Sequence, residues 1–162
     1  MTARITKHIL LSILLLATIA GGTALAASFN FTASAVVLSK NQCRFLSNNI
    51  TLDFGNLDPT SGVPVNASTT VNFRCQGSAP IASYSISDDD GMYETGPNAN
   101  RMRHTVNAAQ YIPYTLNMNP TSGNIPKNVT QTLTINGSIS GAAYSTAEIG
   151  SYTDLVVISI LP

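Results

Sequence analysis

Few residues in this 162-residue chain have types and spacings that suit chemistry. Its two histidines are His8, in an apolar leader, and His104, so any Ser-His-Asp or Cys-His arrangement must use His104. That residue closes Arg101-Met102-Arg103-His104, which reads as a polar surface loop and not as the seat of a base. Gly137-Ser138-Ile139-Ser140-Gly141 has the glycines of a nucleophile elbow but places Ile where the serine would stand. No P-loop and no G-x-G-x-x-G occurs. Asp88-Asp89-Asp90-Gly91 invites a calcium reading, yet adjacent carboxylates cannot all face one ion, and the closing Glu of an EF-hand loop is missing. A solvated turn is the expectation there. Arg101 and Arg103 are too few for a phosphate-binding patch. The residues therefore imply neither an enzyme nor a cofactor.

Two cysteines complete the inventory. Residues 1–26 read as a secretory signal peptide: Arg4 and Lys7 lead, Ile9 to Ile19 is apolar but for Ser12 and Thr18, and Ala24-Leu25-Ala26 offers small residues for cleavage after Ala26. The apolar run is too short to span about 30 Å of hydrocarbon. An exported chain meets an oxidising compartment, so a Cys43–Cys75 disulfide is the default. A zinc site would lack ligands, and a reactive thiol is the other alternative. Cleavage leaves 136 residues, enough for one domain. Six basic residues (Lys40, Arg44, Arg74, Arg101, Arg103, Lys127) then face eight acidic ones, a net charge of −2 where the precursor has zero. Only 10% of residues are charged, against about 25% in ordinary soluble domains. This argues against a nucleic-acid binder and a coiled coil, while 44% hydrophobic content argues against disorder. Asn-x-Ser/Thr sequons at Asn49, Asn66, Asn128 and Asn136 are by-products of an Asn- and Thr-rich surface.

The elements that must position these residues are strands. Val71, Phe73 and Cys75 alternate with Thr70, Asn72 and Arg74; Ala82, Tyr84 and Ile86 alternate with serines; Leu133, Ile135 and Ile139 alternate with polar residues. Turn signals recur between them, among them Asp58-Pro59, Asp90-Gly91, Asn119-Pro120 and Ser122-Gly123. The spacing predicts strands near 43–54, 68–76, 81–88, 111–118, 129–139 and 150–161, an all-β sandwich. Residues 88–107 read as a long loop with room for one short strand.

Two segments fit a closed sandwich poorly. Leu155, Val156, Val157, Ile158, Ile160 and Leu161 form a nearly unbroken apolar run, predicting a central strand buried on both faces. The chain then stops at Pro162, so the neighbouring strand is absent and a hydrophobic cleft stays open. At the other end Phe29, Phe31, Ala33, Ala35 and Val37 alternate with Ser28, Asn30, Thr32, Ser34 and Val36. This is a strand pattern with no turn to fold it back. It is either the first strand of its own sheet or a strand donated to a neighbouring copy. Donation would be heterologous and non-closing, which yields a filament. Val36 and Leu38 are apolar in the other register, and a one-residue slip would exchange the faces.

The order of several motifs carries a resemblance: Cys43 with Phe45, then Leu52-Asp53-Phe54-Gly55, Val65-Asn66-Ala67, Cys75, Tyr84-Ser85-Ile86-Ser87, Arg101-Met102, Tyr114-Thr115-Leu116, and Gly150-Ser151-Tyr152-Thr153-Asp154 with Val156, Ile158 and Pro162. On these the chain resembles the spore coat protein U-like domain family, the pilin domain of archaic chaperone–usher pili. The resemblance implies an incomplete immunoglobulin-like β-sandwich whose last strand comes in trans. A periplasmic chaperone would lend that strand first, and an outer-membrane usher would exchange it for the next subunit's extension. It implies residues 27–40 as the donor extension and 41–162 as the pilin domain. Phe29, Phe31, Ala33, Ala35 and Val37 become the donor anchors, Cys43 and Cys75 the family disulfide, and the Pro162 carboxylate the end that a chaperone holds. The expected role is a pilus subunit in attachment and biofilm formation, at the cell surface. A self-contained secreted binding module and a spore-coat structural protein are the alternatives.

Overall fold

A computed structural model describes residues 31–36 and 41–162. The expected signal peptide, Phe29 and Val37 lie outside the described residues. Residues 31–36 have no regular secondary structure and are exposed throughout.

The body, residues 41–162, is built of antiparallel strands: β1 Gln42–Phe45, β2 Val65–Gln76, β3 Ile81–Asp88, β4 Arg101–His104, β5 Tyr111–Pro113, β6 Thr115–Asn119, β7 Ser122–Pro126, β8 Thr130–Ile139, β9 Tyr152–Thr153 and β10 Ile158–Leu161, with one helical turn, α1 Gly141–Tyr144. They form sheets in the orders β1-β2-β8-β6, β10-β3-β7 and β5-β4-β9. The first two face each other as an immunoglobulin-like sandwich. Alternation decides which side chains enter the core. Val71, Phe73 and Cys75 from β2 meet Ala82, Tyr84 and Ile86 from β3, with Leu133 and Ile135 of β8 and Ile125 of β7 beside them. Phe73 and Tyr84 pack edge to face with centroids 4.9 Å apart. Cys43 and Cys75 stand directly opposite in the β1–β2 register and are joined by a disulfide.

The expected strand at 111–118 divides. Pro113 has no N–H to donate, the Tyr114 amide bonds Asn100 O, and the chain leaves the third sheet for the first. It crosses to the second sheet between β6 and β7, at the cis Asn119–Pro120 peptide. The expected strand at 43–54 stops at Phe45, and residues 48–64 run without ladder pairing.

His104 corrects the reading of a surface loop. It ends β4, is 5% exposed, and uses both ring nitrogens. Nδ1 accepts from the Val106 and Asn107 amides at 3.1 and 2.7 Å, which assigns the proton to Nε2, 3.1 Å from Ile149 O. Its ring packs edge-on against Tyr152 at 4.9 Å. This histidine ties the 149–152 segment to β4.

Candidate functional site

The body has two buried clusters, one around Phe73 and Leu133 and one around Ile112, Ile139 and Tyr144, and beside the second the packing over β2 is loose. Along β2 the inward residues Val71, Phe73 and Cys75 are buried, whereas Val65, Ala67 and Thr69 on the same face are only half-buried. The loose end is covered by an extended strap, residues 50–57, and by the segment 154–158. Leu52 and Phe54 lie over Gly137 of β8, where any side chain would come within 2.7 Å of both. Phe54 also meets Tyr114 edge-on at 5.9 Å. The strap does not fill its groove. A cavity of about 380 Å³ lies on one side of it, bounded by Leu116, Ile135, Val156 and Ile158. Another of about 460 Å³ lies on the other side, bounded by Met102, Ile112, Tyr144 and Tyr152.

The last strand differs from the expectation of a continuous central strand. Its regular part shortens to Ile158–Leu161, which among the described residues pairs with β3 alone, at the margin of its sheet. Ile158 and Ile160 face the core half-buried, while Leu155, Val157 and Leu161 are 60%, 52% and 65% exposed. Over residues 154–157 a pair of carboxylates joins two backbone bonds, from the Asp89 amide to Val157 O at 3.2 Å and from the Met92 amide to Leu155 O at 3.1 Å, in place of a regular ladder. Asp89 Oδ1 accepts from Val157 N at 2.9 Å and from Gly91 N at 3.1 Å. Reciprocally, Asp154 Oδ1 accepts from Met92 N at 3.0 Å and from Leu155 N at 2.9 Å. The other Asp154 oxygen accepts from Tyr114 Oη at 2.7 Å. Burial, reinforced by the Asp154 carboxylate, pushes the Tyr114 phenol well above its ordinary range. Gly91 has φ +92°, and a Cβ there would strike Asp154. The expected solvated turn at Asp88–Gly91 is therefore half of a clasp that holds the chain's last segment.

The geometry is that of a groove beside a strand, β10, that among the described residues is paired on one side. It is not a cluster of reactive groups. A family model for the spore coat protein U domain matches residues 27–159. The chain belongs to the spore coat protein U domain family. Among solved structures, this spore coat U chain is similar to one from work titled "Chaperone-tip adhesin complex is vital for synergistic activation of CFA/I fimbriae biogenesis", with a TM-score of 0.50 and 18% identity over 75% of its own length. At that identity the likeness is one of fold, and the chain spans 42% of the length of that neighbour. No curated protein matches.

The residues singled out in the sequence of this spore coat U domain fall into three places. Cys43 and Cys75 are joined as expected. Val156 and Ile158 line the smaller cavity, together with Leu155, while Ile160 and Leu161 belong with Ile158 to the marginal strand and Val157 immediately precedes it. Phe31, Ala33 and Ala35 lie in the described stretch 31–36, with Phe31 82% exposed. Sequence reasoning missed the strap. Its signal was present in the alternation of Ile50, Leu52 and Phe54, which had been absorbed into one long first strand. It also missed the Asp89–Asp154 clasp, for which two distant aspartates give no local sign.

Proposed function

We propose that this spore coat U domain is a structural subunit of a fimbria, without enzymatic activity, that polymerises by donor-strand exchange. The observation that carries the reading is the marginal strand β10. Among the described residues it is paired on one side only, and it lies beside a groove with unfilled volume. A strand laid there would gain a ladder of backbone hydrogen bonds and bury alternate side chains, at about 25 cal/mol per Å² of apolar surface. The donor in this reading is the 27–40 extension of the next copy, with Phe29, Phe31, Ala33, Ala35 and Val37 as its inward anchors. The exposure of Phe31, 82%, is compatible with it, since the ring is accessible to a neighbouring groove.

Before assembly a periplasmic chaperone holds the same groove, with basic residues on the Pro162 carboxylate. At the outer membrane an usher exchanges the chaperone for the incoming subunit. The filament then stands at the cell surface and serves attachment and biofilm formation. The immunoglobulin-like sandwich is in this view one strand short until complemented.

Deleting residues 27–38 tests the assignment. The truncated subunit is expected to bind its chaperone and to accept a donor, but not to cap the subunit before it. Oligomer ladders that resist mild denaturant should disappear from the cell surface. Filaments assembled from the truncation alone would overturn the donor assignment.

A further inference from the structure

The third sheet carries a second site, independent of the groove. Arg101 and Arg103 occupy alternate positions of β4, so both project from its outer face, opposite Pro113 and Tyr111 of β5. Each guanidinium lies over a tyrosine ring. Arg101 Cζ is 4.1 Å from the Tyr111 ring centre, and Arg103 Cζ is 4.3 Å from that of Tyr93. The two tyrosines touch edge to face at 6.1 Å, and Arg101 Nε donates to the Tyr93 carbonyl. Such contacts restrain the guanidinium groups and leave N–H groups of both for a ligand. Among the described residues neither arginine has a carboxylate partner. In a chain so poor in charge, two neighbouring cations without a direct carboxylate contact on one short strand offer a site to an external anion.

Arg101 also forms part of the wall of an open cavity of about 360 Å³. The rest of its polar lining is hydroxyl and amide groups, from Thr95, Asn98, Asn100, Tyr114, Thr115, Ser138 and Ser140. The size lies in the lower part of the roughly 300–1,000 Å³ of small-ligand sites. A planar fork beside neutral donors and acceptors matches a ligand with a carboxylate and many hydroxyls. Two cations are too few to hold an anionic bilayer, which takes about four to eight.

We infer that this face binds a carboxylated polysaccharide: Arg101 grips one uronate carboxylate, its sugar hydroxyls fill the cavity, and Arg103 meets the charge of a neighbouring unit. The reading does not depend on donor-strand exchange, since every residue involved lies within the body of one chain.

Fluorescent oligogalacturonate titrated onto the exported chain, in whatever assembly state it is secreted, tests this. Saturable binding is expected, with cello-oligosaccharide of equal length binding at least tenfold more weakly. Arg103→Gln should weaken binding about tenfold, the scale of one lost charge-assisted pair. Arg101→Gln should weaken it further, and Arg103→Lys should restore only part of the loss because the fork is absent. Arg44→Gln, on the other sheet, should change nothing. Unchanged melting temperatures for the Arg103 variants separate recognition from folding. Equal binding of the neutral oligosaccharide, an equal effect of Arg44→Gln, or equal Arg103-dependent binding of a poly-glutamate peptide or of phosphatidylserine vesicles would each overturn the assignment.

Discussion

The two ends of the sandwich share strands, alternation and residue types, yet they are packed differently. At the disulfide end, β2 and β8 place Phe73 and Leu133 at 0% exposure against Tyr84 and Ile125. At the groove end β2 leaves Val65, Ala67 and Thr69 half-buried beneath a strap bordered by cavities, although β8 opposite them still buries Ile135, Gly137 and Ile139. The second sheet makes the difference. Over the tight end it contributes the eight residues of β3, paired on both flanks. Over the loose end it has given way to the 154–157 segment, held by two carboxylates and two backbone bonds to residues 89–92. Local propensity does not distinguish the ends; what each strand finds opposite it does.

Truncations should separate the two ends by their energies. Phe73→Ala removes a fully buried ring at the tight end and is expected to cost about 3–5 kcal/mol in urea unfolding. Leu116→Ala, in the groove wall, removes a half-buried side chain and should cost only about 1 kcal/mol in the isolated chain. Its cost should rise in assembled filaments, where a donated strand would cover the groove. Equal costs in the isolated chain would abolish the distinction between the ends.

Cys43→Ser comes next. The disulfide closes a separation of 32 residues, for which the chain-entropy model gives about 3–4 kcal/mol. It anchors β1 to β2 at the tight end, so the melting temperature under non-reducing conditions should fall. The groove should be affected only through global unfolding.

The clasp is the test at the loose end. Asp154→Ala leaves the Tyr114 hydroxyl and the Met92 and Leu155 amides without their acceptor, at an expected cost of about 2 kcal/mol. Amide exchange at Leu155 and Val157 should quicken more than at Phe73 or Leu133. A uniform increase across the body would show that the clasp supports the whole fold and not its loose end.

Which parts were legible in the sequence follows the same division. Val71-x-Phe73-x-Cys75, Ala82-x-Tyr84-x-Ile86 and the β8 pattern gave their strands and their inward faces correctly, because alternation is a local property of a strand buried on one side. The cysteine pair was equally readable. The loose end was not, because its order comes from contacts between residues far apart in the chain. Asp89 meets the Val157 amide across 68 residues, and His104 meets Ile149 O across 45. An aspartate in a turn and a histidine between arginines look solvated until their partners are brought to them. The break at Pro113 was readable in principle, since a proline has no N–H for a ladder. The run from Leu155 to Leu161 suggested burial on both faces, and in the structure one of those faces is exposed.

The smallest effect concerns the junction of the two ends. Asp88 is the last residue of β3 and pairs with Ile158, the first of β10. Burial raises its carboxyl above the ordinary 3.8, with the charges of Asp90 and Asp89 acting the same way against its own backbone amide. A raised carboxyl binds its proton more tightly in the folded chain than in the unfolded one. Its stabilising contribution is therefore present below the unfolded value and is lost as pH rises through the folded one. At neutral pH the ionised group opposes folding slightly. Asp88→Asn should stabilise the chain by no more than about 0.5 kcal/mol at pH 7, because the site is largely solvated. The gain should shrink on acidification toward pH 3.8 and below, as the native carboxyl takes up its proton. If a donated strand covers this junction, desolvation deepens, and the advantage of Asn should be larger in filaments than in the isolated chain. An advantage that grows on acidification would reverse the sign of the shift and remove Asp88 from the groove's electrostatics.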